Sequence, residues 1–131
     1  MNRPRVLVAD NRPGLLSATS ALLGTEFDVV GTGADGESLV SKTLSLRPDV
    51  IVVDITLPVL SGIEAAHRLR VSAPSSKIVF LPIHSERQFV DACMAEGALG
   101  CVLKSHMRAN LIPAIRAALV GQSHICPFVP T

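Results

Sequence analysis

The sequence predicts a doubly wound α/β sandwich, a parallel sheet with helices on both faces. Strand-sized apolar runs alternate with helix-periodic segments along almost the whole chain. The runs are continuously apolar, as strands covered on both faces should be. Three of them end on a charged residue: Val6-Leu7-Val8-Ala9-Asp10, Val50-Ile51-Val52-Val53-Asp54 and Cys101-Val102-Leu103-Lys104. If these runs are parallel strands of one sheet, two carboxylates and an ammonium meet at its carboxyl rim. Such a cluster can hold a divalent cation and stabilise a transferred phosphoryl group.

The elements follow in order. Arg5–Ala9 reads as a buried strand. Pro13–Leu23 carries Leu15, Leu16, Thr19, Leu22 and Leu23 at helical spacing, with Pro13 suited to the first turn. Phe27–Val30 is a short strand. Asp35 then caps a helix through about Leu46, stopped by Arg47-Pro48. Val50–Val53 is the third strand. Ser61, with Glu64 as its capping-box partner, opens a helix that ends before Ala73-Pro74. Lys77–Leu81 is the fourth strand, Glu86–Glu96 a helix closed by Gly97, and Gly100–Leu103 the fifth strand. A last helix runs from about Met107 to Val120, with Gly121 as its stop. Right-handed crossovers and five βα units favour the order 2-1-3-4-5, whose switch point lies between the first and third strands. Asp10 and Asp54 end those two strands.

At 131 residues, 48% hydrophobic and 18% charged, the chain suits one folded domain and not a disordered segment. Net charge is +1 without a basic stripe, so this domain is not expected to bind nucleic acid directly. No apolar stretch reaches membrane-spanning length, and Met1 does not open a signal-peptide pattern, which makes the cytoplasm the expected address. Three cysteines form no framework: Cys93 and Cys101 read as packed, reduced thiols and Cys126 falls in the tail. His67, His84, His106 and His124 show no metal-ligand spacing.

With these residues placed, the chain resembles the receiver domain of bacterial two-component response regulators, closest to the NarL/LuxR-type branch. The likeness rests on Val6–Pro13, on Pro48–Pro58 with Gly62 beyond, and on Gly97–Ser105. It implies a flavodoxin-like, chemotaxis-receiver-like fold and a signalling role without enzymatic turnover. It implies Asp54 as phosphoacceptor from a sensor histidine kinase and Lys104 as the contact to a phosphoryl oxygen. It also implies Mg²⁺ held by Asp10, Asp54, the neighbouring position Asn11 and the backbone carbonyl of Thr56. A DNA-binding output domain would lie outside this chain, and homodimerisation is the further expectation. Residues 1–121 form the receiver on this reading, and 122–131 a tail or the start of a linker.

Three residues depart from that pattern. The first strand of the family ends in two acidic residues, but Asn11 takes the second place and should weaken metal affinity. Pro82 stands where a Ser or Thr hydroxyl is usual, leaving the Ile83 backbone N–H as a donor, with His84 and Ser85 as conceivable substitutes. Cys101 replaces a Tyr or Phe that swings between rotamers, so the aromatic switch is absent. A pseudo-receiver controlled without phosphorylation is the alternative. Gly31-x-Gly33-x-x-Gly36 offers a remote dinucleotide-binding reading, but it follows the second strand and reads better as a turn and a cap. A nucleophilic-aspartate phosphatase would need an acid where Thr56 stands. A flavin carrier is disfavoured because the chain has no Trp or Tyr.

Overall fold

Two apolar strands at the centre organise everything else. In the computed structural model, which describes residues 3–55, 57–82 and 87–126, β1 (Arg5–Ala9) and β3 (Val50–Val53) pair in parallel with Val6 opposite Val50 and Ala9 opposite Val53. β2 (Asp28–Gly33) flanks β1, β4 (Lys77–Phe80) flanks β3, and β5 (Gly100–Val102) flanks β4. This contains the expected order 2-1-3-4-5. It is extended by a sixth strand, β6 (His124–Cys126), parallel to β5, in the segment read as a tail.

Alternate residues of each strand serve opposite faces, as the two-residue strand period requires. Leu7, Ala9, Ile51, Val53, Ile78, Phe80 and Cys101 pack against α2 (Gly36–Leu46), α3 (Gly62–Ser72) and α4 (Arg87–Ala95). Val6, Val8, Val50, Val52, Val79 and Val102 pack against α1 (Pro13–Gly24) and α5 (Met107–Leu119). All of these strand residues are buried, which is why the runs carry no polar alternation.

The expected caps are present. Asp35 accepts from the Ser38 N–H at 2.7 Å, and Ser61 accepts from the Glu64 N–H at 3.2 Å. Arg47, before Pro48, ends α2 in the left-handed region. β2 departs most from the sequence reading, while the other four expected strands agree at both ends to within a residue. Phe27 lies in the turn that follows α1, its N–H donating to the Leu23 carbonyl at 2.8 Å, and β2 begins at Asp28. β2 then continues through Gly33, with a bulge opposite Val6/Leu7, so Gly31 and Gly33 are strand residues and not a turn.

Past α5, Gly121 takes φ +77° while its N–H bonds Ala118 and that of Gln122 bonds Ala117. This glycine turn satisfies the last carbonyls of the helix and sends the chain back along β5.

Candidate functional site

The register of β1 and β3 places their next residues, Asp10 and Asp54, side by side at the carboxyl rim. Both stay tied to the ladder: the Asp10 N–H donates to the Gly33 carbonyl and that of Asp54 to the Ala9 carbonyl, each at 3.0 Å. Their carboxylates are buried, at 3% and 1% exposure. Buried carboxylates need compensation, and Lys104 supplies it. Its Nζ lies 2.8 Å from Asp10 Oδ2 and 3.5 Å from Asp54 Oδ2.

Lys104 reaches the rim from a 3₁₀ turn (Lys104–His106) just beyond β5. Its backbone N–H donates to the Pro82 carbonyl at 2.9 Å. Pro82 has no hydroxyl to offer, yet its carbonyl anchors the lysine backbone. Asp10 Oδ1 also accepts from the Arg12 N–H at 3.0 Å, so one oxygen serves the turn into α1 while the other faces the ammonium. The aspartate thus does turn and site work together.

Asn11 is exposed beside this cluster. Thr56, Ile83, His84 and Ser85 lie outside the described residues. Among the described residues, no three His, Cys, Asp or Glu side chains converge as a metal site. A hard cation here would therefore depend on two carboxylates supplemented by amide or carbonyl oxygens, a donor set of the right chemistry but low charge.

Glycines hold the rim closed from behind. A Cβ on Gly62 would sit 2.2 Å from the Asp54 carbonyl oxygen, so only glycine lets α3 start against that strand end. The Gly62 N–H donates to the Ile55 carbonyl at 2.8 Å. A Cβ on Gly36 would lie 1.8 Å from the Leu60 carbonyl oxygen. The last glycine of the Gly31-x-Gly33-x-x-Gly36 pattern thus serves packing of α2 against the β3–α3 loop. Sequence spacing alone does not reveal either contact, although a glycine at the first position of a capped helix hints at one.

Cys101 and Cys93 are unbridged and buried. Cys93, on α4, packs in the same buried cluster as Cys101 across the α4–β5 seam. The neighbouring Cys101 thiol, with burial, pushes the Cys93 thiol well above its ordinary range. These are packing thiols, as expected from their places in helix and strand.

The family description "Response regulator receiver domain" matches residues 6–116. The chain belongs to the response regulator receiver family. The receiver is 34% identical over 121 residues to the transcriptional regulatory protein YxjL of Bacillus subtilis, covering 91% of this chain and 56% of that protein. It is 32% identical over 130 residues to DegU of Brevibacillus brevis, covering 98% of this chain and 55% of that one. A solved LuxR-family response regulator from Aurantimonas superposes with a TM-score of 0.91 at 29% identity, covering 96% of this chain and 91% of that chain. The receiver spans a little over half the length of these curated relatives, both of them transcriptional regulatory proteins. Among the described residues, no helix is long and apolar enough to cross a membrane.

Proposed function

We propose that Asp54 accepts a phosphoryl group from the phosphohistidine of a sensor histidine kinase. The resulting state would govern a DNA-binding output domain outside this chain, with homodimerisation as part of the response. The carrying observation is the ammonium of Lys104 shared by two buried carboxylates, 2.8 Å from Asp10 and 3.5 Å from Asp54.

The chemistry follows from charge. A carboxylate oxygen of Asp54 attacks phosphorus, the P–N bond breaks, and its electron pair leaves with the histidine nitrogen. Attack by an anion on an anionic phosphoryl group needs positive charge fixed in place. Lys104, held by its backbone bond to Pro82, supplies one such charge and pairs with a phosphoryl oxygen. Asp10 and Asp54, with the Asn11 amide and the Thr56 carbonyl, would hold Mg²⁺, which when bound offsets the remaining repulsion. Asn11 brings an oxygen without charge, so affinity for the ion is lower than an aspartate there would give.

The neutral Asn11 and the hydroxyl-free Pro82 favour a second reading, regulation by a partner or ligand without phosphorylation. One experiment separates the two: Mg²⁺-dependent labelling with radiolabelled acetyl phosphate, comparing wild type with Asp54→Asn. The proposal expects label on wild type and none on the variant. Absent labelling, or labelling indifferent to the substitution, selects the second reading.

A further inference from the structure

We infer that the edge of β5 and the α4–β5 seam form a docking surface for the chain's own segment His124–Cys126, with Ile125 as its plug. Three observations support this. The pairing is specific: Gly100 faces His124, Cys101 faces Ile125 and Val102 faces Cys126, while the His124 N–H donates to the Leu99 carbonyl at 2.9 Å. Ile125 stands beside Cys101 on the α4 face and packs against the cluster that contains Cys101, Cys93, Val90 and Phe80. Because Cys101 is small, Ile125 continues the apolar surface that its side chain leaves short.

The attachment is also weak by construction. It rests on a three-residue ladder, one half-buried isoleucine, contacts with α5 and the glycine turn at Gly121. Opposing it, the Nε2 of His124 is buried without a hydrogen-bond partner among the described residues, which penalises the docked state. Short edge segments of this kind open locally at far lower free energy than the whole domain unfolds. β6 is therefore a detachable strap and not a permanent sixth strand. Any segment that follows Cys126 starts from the seam, so docking ties it to the packing of α4 against β5. That regulatory consequence rests on the proposed function; the docking itself does not.

The buried thiols of Cys93 and Cys101, 0% and 1% exposed, report on the seam directly. The experiment is alkylation of the folded protein with N-ethylmaleimide, read site by site by peptide mass spectrometry. It compares wild type with Ile125→Ala, which removes the plug. It also compares Gly121→Ala, which strains the left-handed turn while its added Cβ meets nothing within 4 Å. Both variants should raise the labelling rates of Cys93 and Cys101 roughly fivefold to tenfold. Amide protection in β1 and β3 should be unchanged. Unaltered thiol rates in both variants overturn the inference. So does a rise accompanied by equal loss of protection in β1 and β3, since the seam would then open only when the whole domain does.

Discussion

The carboxyl rim and the α4–β5 seam lie on one sheet but are built on different principles. At the rim, Asp10 and Asp54 are buried, Lys104 is mostly covered, and all three are tied through their own backbones to neighbouring elements. At the seam, Cys93, Cys101 and Ile125 are apolar or nearly so, and their side chains are held by packing. The comparison separates two tasks. Accepting a phosphoryl group needs fixed charge, and this chain keeps it. Conveying a change needs an element that can move at low free-energy cost, and here the residues at that place are small and strapped over. On the proposed function, the acceptor is kept while the residues at the α4–β5 seam change.

Removing Lys104 should break the rim most severely. Lys104→Met leaves two buried carboxylates without their cation and should lower stability by about 3 kcal/mol in urea denaturation. Adding Asp10→Asn to that variant should recover much of the loss; a double variant no more stable than the single one would mean that the pair is not coupled. Next, Gly62→Ala forces a Cβ toward the Asp54 carbonyl and should cost about 2 kcal/mol by thermal melting, together with weaker Mg²⁺ binding. Asn11→Asp acts in the other direction: the added charge should tighten Mg²⁺ roughly tenfold by titration calorimetry. An unchanged dissociation constant would detach Asn11 from the metal site.

The smallest effect belongs to the seam. Cys93→Ala removes one buried sulfur and should lower stability by about 1 kcal/mol, leaving acceptance of label at Asp54 unaltered. If labelling fell as far as it does in Lys104→Met, the division between rim and seam would be wrong.

Much of the rim was legible in the sequence because a charged residue that ends a buried parallel strand has to emerge at the sheet's carboxyl edge, where such folds bind ligands. Asp10, Asp54 and Lys104 fall where the strand order places them, and the caps at Asp35 and Ser61 were visible from side-chain chemistry alone. The contacts of Gly62 and Gly36 were not, because spacing shows that a glycine is present but not which carbonyl approaches it. β6 was hidden for a different reason. His124-Ile125-Cys126 is too short for a periodic signal, precedes a proline-containing stretch, and becomes a strand only because the turn at Gly121 aims it along β5. Gly31 and Gly33 misled in the opposite sense, reading as a turn while belonging to a strand whose bulge lets them pair.

The central claim is that Asp54, flanked by Asp10 and Lys104, is a working phosphoryl acceptor. Backbone NMR during titration with beryllofluoride and Mg²⁺ tests it most directly. Saturable shifts concentrated at Asp10, Asp54 and Lys104, and lost in Asp54→Asn, are the predicted result. A spectrum that does not respond, or that responds equally in the variant, would contradict it.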